Sequence, residues 1–214
     1  MSRGRFITFE GGEGGGKSTQ VRRLTERLQA AGRTVVATRE PGGSPGAEAI
    51  RDLLVTGETD RWSPLTETLL MYAARRDHIE RVIAPALARG DWVVCDRFAD
   101  STRAYQGAGG GAPASLIAAL EHEMLGDTRP DLTLILDLPA EVGLARAEGR
   151  GASAETRFES KGAAFHQRLR EGFLAIAAAE PDRCVVIDAA QPLEGVSAAI
   201  WTAVAERLAA EPAR

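Results

Sequence analysis

Gly11-Gly12-Glu13-Gly14-Gly15-Gly16-Lys17-Ser18 is a complete G-x-x-x-x-G-K-S run, and its surroundings constrain the fold more than any other stretch of the chain. Before it lies Arg5-Phe6-Ile7-Thr8-Phe9-Glu10, β-branched and aromatic; after it, Val21, Leu24 and Leu28 recur at helical spacing up to Ala31. The order is therefore strand, glycine loop, helix. Without Cβ atoms in the way, successive backbone N–H groups and the positive end of the helix dipole can surround a polyphosphate. The pattern predicts a nucleoside triphosphate, with Gly11, Gly12, Glu13, Gly14, Gly15, Gly16, Lys17, Ser18 and Thr19 around its phosphates and the Ser18 hydroxyl on Mg²⁺. Of 26 basic residues only Lys17 and Lys161 are lysine. A compact ammonium on a flexible stem reaches between phosphates inside a tight loop where a planar guanidinium would not fit.

With 214 residues and 44% hydrophobic content, the chain can bury a substantial core, and it is expected to form one α/β domain over 1–214. Strands are expected near 5–10, 34–38, 92–96, 132–137 and 184–188, alternating with helices at 17–31, 46–55, 65–89, 113–125, 139–147, 161–179 and 193–209. That alternation means a parallel sheet flanked by helices in three layers, with ligands at the carboxyl ends of the strands. Leu132-Thr133-Leu134-Ile135-Leu136 reads as buried on both faces. The 65–89 helix is expected to break near Arg76 to His78, and Gly107 to Gly111 reads as a flexible loop. Phe165, Leu169, Phe173 and Ile176 form an apolar core stripe.

A net charge of −4 gives no overall basic field for nucleic acid, so no nucleic-acid partner is expected. Cys95 and Cys184 fall in separate strands and read as reduced, buried thiols. No signal pattern or membrane-length apolar run occurs, so the expected setting is the cytoplasm, without a membrane.

Strand 92–96 runs into Asp96-Arg97, with Ser101-Thr102 and Tyr105-Gln106 just beyond. Asp96 is placed to support Mg²⁺, and Arg97 to contact phosphoryl oxygens and offset charge during transfer. Thr38-Arg39-Glu40-Pro41-Gly42-Gly43 makes a turn after the second strand, and Arg51, Arg75 and Arg76 follow on helices. Arg146 to Ser153 combines arginines with glycine hinges, which suits either a lid over the triphosphate or an ordinary polar connection.

Phe9-Glu10-Gly11 through Lys17-Ser18-Thr19, Thr38 to Gly43, Tyr72-Ala73-Ala74-Arg75, Asp96-Arg97 with Ser101-Thr102, Ala104 to Gly107, and Pro130 to Thr133 together resemble the bacterial thymidylate kinase family over almost the whole length. The resemblance implies a nucleoside monophosphate kinase fold of the phosphate-loop type, with a mobile lid at about 146–160, that transfers the γ-phosphoryl group of MgATP to dTMP as a homodimer. It implies Lys17, Arg97 and Arg150 as catalytic residues. Glu13 would face the acceptor's sugar and phosphate, Arg51 and Arg97 would hold the phosphate or thymine edge, and Arg75 would donate to a thymine carbonyl. Thr102 and Gln106 would help read the base, and Tyr105 would crowd the sugar 2′ position. Ser18 and Asp96 would serve the metal. One subgroup of the family carries a catalytic arginine inside the loop; Gly12-Glu13-Gly14-Gly15 has none, which places the chain with the subgroup that uses lid residues, Arg150 first and Arg146 and Arg157 behind it. Met71 stands where relatives carry a phenylalanine stacked on thymine, so either its thioether or neighbouring Tyr72 is expected to make that contact.

Overall fold

The computed structural model describes residues 3–58, 60–149 and 156–208. Five strands, β1 (Phe6–Glu10), β2 (Val35–Arg39), β3 (Trp92–Asp96), β4 (Leu132–Asp137) and β5 (Cys184–Asp188), form one parallel sheet in the order β2-β3-β1-β4-β5. Helices α1 (Lys17–Ala30), α2 (Pro45–Val55), α3 (Pro64–His78), α4 (Ala84–Ala88), α5 (Ala99–Thr102), α6 (Ala114–Leu125), α7 (Ala140–Glu148), α8 (Thr156–Glu159), α9 (Ala163–Ala179) and α10 (Leu193–Arg207) accompany it. The expected strands and longer helices all form, within a residue or two at their ends.

Alternation along the strands explains the layers. Ile7, Phe9, Val94, Leu132, Leu134 and Leu136 meet Val21, Leu24 and Leu28 of α1 and Ile200 and Val204 of α10 on one face. Phe6, Val93 and Cys95 point the opposite way, toward Tyr72 of α3, Leu87 of α4 and Ile117 of α6. Ile135 joins a third cluster with Leu169, Phe173 and Phe165 of α9, the stripe read from the sequence, with Ile176 packed against it. Burying each such side chain contributes roughly 1.5–3 kcal/mol. Both cysteines are free and buried, and burial raises both thiol pKa values.

The structure refines two local expectations. Regular α-helix after Pro64 does stop at His78, where an interruption is expected, but the chain does not leave the helix there; it continues through a π-helical turn at Ile79–Ile83 into α4. Pro85 lies one residue inside α4, where a regular α-turn would set its ring against a carbonyl one turn back and leave that carbonyl without a donor. The wider turn accommodates it. Of Gly107 to Gly111, only Gly110 and Gly111 lie in a turn and loop: Gly107 to Gly109 belong to the π-helical stretch Arg103–Gly109, which packs against α9. A Cβ on Gly109 would come within 2.6 Å of the Phe165 ring, so the glycine permits close helix approach.

Candidate active site

In-register pairing of Phe9 with Asp96, and of Arg39 with Asp96, brings the carboxyl ends of β1, β2 and β3 level. The chain leaves β1 and β3 in different directions, and an open cleft lies there. Its walls include Glu13, Lys17 and Ser18 from the glycine loop, Arg51 and Met71 from α2 and α3, and Asp96 with Arg97 after β3.

Gly16, with φ 79°, caps α1 without any side-chain hydrogen bond, and the first turn of α1 holds no acidic residue. Its free N–H groups and helix dipole are left for an anion. Lys17 Nζ donates to Gly11 O at 3.1 Å and Gly12 O at 2.7 Å, which folds the ammonium back over the loop. Burial, followed by the nearby Arg97 charge, lowers its pKa to about 8 against the pull of Asp96, Glu13 and Glu10. Ser18 Oγ donates to Asp96 Oδ2 at 2.6 Å. Gly14 and Gly16 also line the cleft. Gly11 and Gly12 border a smaller cavity behind the loop, whereas Gly15 and Thr19 line neither.

At Gly14, with φ 71°, a Cβ would lie 2.1 Å from Gly143 O, so the loop rests directly on the first turn of α7. No side chain fits at that position. Gly143 reciprocates, since its own Cβ would lie 2.5 Å from Glu13 O.

Arg97 alone among the described non-glycine residues has a positive φ, 71°. Such a conformation costs about 1–3 kcal/mol and persists only where neighbours hold it. Here its N–H donates to Phe9 O at 2.9 Å, and its Nη1 to Gly11 O at 2.9 Å and Ser101 Oγ at 3.2 Å. The guanidinium stacks 4.8 Å over Tyr105 and approaches Glu13 at 3.5 Å. Beneath it Glu10, fully buried, accepts from Phe98 N–H at 2.8 Å and Ser101 Oγ at 2.6 Å. Burial and the Asp100 charge raise the Glu10 carboxyl to about 7.

Glu13 is the hub of the opposite wall. Burial would raise its carboxyl pKa, but His166, Arg97, Lys17 and the Tyr105 hydroxyl outweigh that and bring it to about 2. Tyr105 Oη donates to Glu13 Oε1, and His166 Nδ1 of α9 lies 3.4 Å from Oε2. His166 escaped the sequence reading because a lone histidine beside an apolar stripe reads as core.

Arg75 sits 2% exposed at the base of the cleft. Its Nε donates to Glu40 Oε2 at 2.7 Å, and its Nη2 to Phe98 O at 2.9 Å and Thr102 Oγ1 at 3.1 Å. Nη1 is buried and has no hydrogen-bond partner among the described residues. Glu40 is itself steadied by His78 Nδ1 at 3.0 Å, and His78 Nε2 pairs with Thr38 at 2.8 Å. Gln106 donates from Nε2 to Glu67 Oε1 at 2.7 Å. Arg51 Nη1 donates to Pro41 O at 2.6 Å.

Met71 lines the cleft, whereas Tyr72 packs into the core on the other side of α3, so the alternative contact from Tyr72 is excluded. Arg157 is not a lid charge: its buried Nη1 pairs with Glu67 at 2.6 Å and donates to Leu54 O at 3.0 Å, while Nε donates to Glu58 O at 3.1 Å. Arg146 donates to Ala189 O at 3.1 Å. Arg150 lies outside the described residues. Among the described residues no helix is long and apolar enough to cross a membrane, and no cluster of three or more His, Cys, Asp or Glu forms a metal site by itself.

Comparison with known proteins gives a consistent result. The model of a family described as thymidylate kinase matches residues 9–200. A thymidylate kinase of Caulobacter vibrioides is 74% identical over 208 residues, covering 97% of this chain and 99% of the relative. One of Nitrobacter winogradskyi is 57% identical over 206 residues, covering 96% and 90%. The crystal structure of a thymidylate kinase from Ehrlichia chaffeensis superposes with a TM-score of 0.77 at 35% identity, covering 94% of this chain and 99% of that one.

Proposed function

Since the chain belongs to the thymidylate kinase family, we infer that it phosphorylates dTMP to dTDP with ATP and that the strand-end cleft is where transfer occurs. The observation that carries the assignment of the base site is the unpartnered Nη1 of Arg75, a buried donor beside Thr102 and Gln106 in the same cleft as Lys17. A buried guanidinium N–H requires an acceptor. Thymine supplies a carbonyl for it and an N–H for the Gln106 amide.

The acceptor phosphate is already an anionic nucleophile, so transfer needs alignment, charge compensation and exclusion of water rather than a strong base. Lys17 and the free N–H groups of α1 receive the β- and γ-phosphates. Arg97, locked above the loop, faces the phosphoryl group in flight, and Arg51 stands at the acceptor side. Glu13, ionised under the joint pull of His166, Arg97, Lys17 and Tyr105, accepts from the sugar, and Tyr105 closes the 2′ side. The hard oxygen donors Ser18 and Asp96 fit Mg²⁺, which typically keeps one or two protein ligands and takes the rest from phosphates and water. When bound, it would neutralise phosphate charge.

The loop's lack of arginine, together with the exclusion of any side chain at Gly14, supports the subgroup that draws its last catalytic charge from a lid. On this basis residues 1–214 make one domain, with a lid at about 146–160 and Arg150 as its catalytic residue. Leu53 of α2 and Leu65 and Leu69 of α3, 40–52% exposed, support self-association as a homodimer. We retain a cytoplasmic setting and no nucleic-acid partner, in keeping with the net charge of −4.

The test is ADP release with MgATP across dTMP, dUMP, CMP, UMP, AMP and GMP. The highest kcat/KM is expected for dTMP, and a preference for any other base overturns the assignment.

A further inference from the structure

Gln106 is the amide expected to meet the thymine N3–H, yet an amide can be seated either way round. Seated with its carbonyl toward the cleft it accepts from thymine; reversed, it offers N–H groups that suit the N3 acceptor of cytosine. Something must choose between the two orientations.

Glu67, on the inward face of α3 and 3% exposed, meets the Gln106 amide at 2.7 Å. An ionised carboxylate only accepts, so the amide nitrogen must lie on its side, which leaves the carbonyl oxygen for the cleft that Gln106 lines. The other carboxylate oxygen is held by Arg157 at 2.6 Å, and Arg157 is anchored in turn on Leu54 O in the last turn of α2 and on Glu58 O just beyond it. All three side chains are buried, at 1–3% exposure, so water does not compete for these contacts.

We propose that Glu67, clamped by Arg157, is a positioning residue that sets the orientation of the Gln106 amide and thereby selects thymine over cytosine. The inference rests on the reading of the cleft as the dTMP site. Arg157 thus contributes through Glu67 to base selection and stays outside phosphoryl transfer.

Two variants test it. Glu67→Gln removes the charge that dictates the amide's direction but leaves Arg157 buried without its partner. The double variant Glu67→Met/Arg157→Leu removes both charges together, a change that buried ion pairs often tolerate. In each, kcat/KM is measured for dTMP, dUMP and dCMP, along with KM for ATP, on protein that melts cooperatively. The dTMP:dCMP ratio is expected to fall roughly tenfold or more, the loss of about one buried hydrogen-bond preference. Because thymine and uracil present the same N3–H and O4, the dTMP:dUMP ratio should stay within about twofold, as should KM for ATP; a general structural defect would lower all three acceptors alike. An unchanged dTMP:dCMP ratio in the folded double variant overturns the proposal. So does a crystal structure of the wild-type protein with dTMP in which Glu67 makes no contact with the Gln106 amide. A wild-type protein that does not phosphorylate dTMP would instead overturn the functional reading beneath it.

Discussion

Nucleotide binding should be linked to proton uptake at Lys17. The ammonium is 8% exposed and donates to two loop carbonyls, and burial with the Arg97 charge brings its pKa from 10.5 to about 8 against the pull of Asp96, Glu13 and Glu10. A displacement of that size corresponds to about 3 kcal/mol against the charged form in the empty fold. Its sign for stability is fixed. Between pH 8 and 10.5 the unfolded chain holds the proton more tightly than the fold, so this group disfavours folding fully below pH 8 and ceases to do so as pH rises to 10.5. A polyphosphate reverses the balance by placing negative charge against the ammonium, which drives its pKa up. Binding a non-hydrolysable ATP analogue should therefore take up about 0.1 proton at pH 7, about 0.5 at pH 8 and about 0.9 at pH 9. Calorimetry in buffers of differing ionisation enthalpy reads this directly. Glu10 titrates near 7 and is ionised in the empty protein at pH 9, so the uptake measured there belongs chiefly to Lys17. Apparent affinity should weaken by about tenfold per pH unit above 8. Uptake near zero at both pH 8 and pH 9 would refute the argument.

Two further outcomes follow from the loop and its wall. Gly14→Ala would press a Cβ to 2.1 Å from Gly143 O at a φ of 71°, and should cost about 1–3 kcal/mol. Thermal melting should show this as a drop of several degrees accompanied by a higher KM for ATP; a Tm equal to wild type would mean that the loop does not rest on α7. Tyr105→Phe removes a hydroxyl that donates to the Glu13 carboxylate, a charge-assisted bond of about 1.5–3 kcal/mol. KM for dTMP should rise about tenfold or more while KM for ATP holds, and equal increases in both would count against Glu13 as an acceptor-side group.

The parts of this molecule that were legible in the sequence are those whose signal is local. A glycine run between an apolar strand and a periodic helix specifies its own geometry, and β4 announces burial on both faces through four aliphatic residues out of five, interrupted only by Thr133. Asp96 and Arg97 stand out as site candidates because a charged pair at a strand's end has few structural uses, and both line the cleft. Arg157 was misread for the converse reason. Next to glycine hinges it resembles a mobile charge, and its partner Glu67 lies 90 positions earlier, with nothing in either neighbourhood to connect them. The π-helical turns were invisible because one extra residue in a single turn leaves no period to detect. The positive φ of Arg97 was also hidden, since nothing but its surroundings compels a long, charged residue into a conformation that glycine prefers.

The contact between Gly14 and Gly143 has a mechanical meaning. Helix α7 is a rod of nine residues, about 13 Å long, held against the phosphate loop at its fourth residue, one position short of its midpoint. Backbone touches backbone there, with no side chain to act as a cushion. Neither glycine leaves room for the loop and the rod to draw closer, so this pair sets the spacing between them.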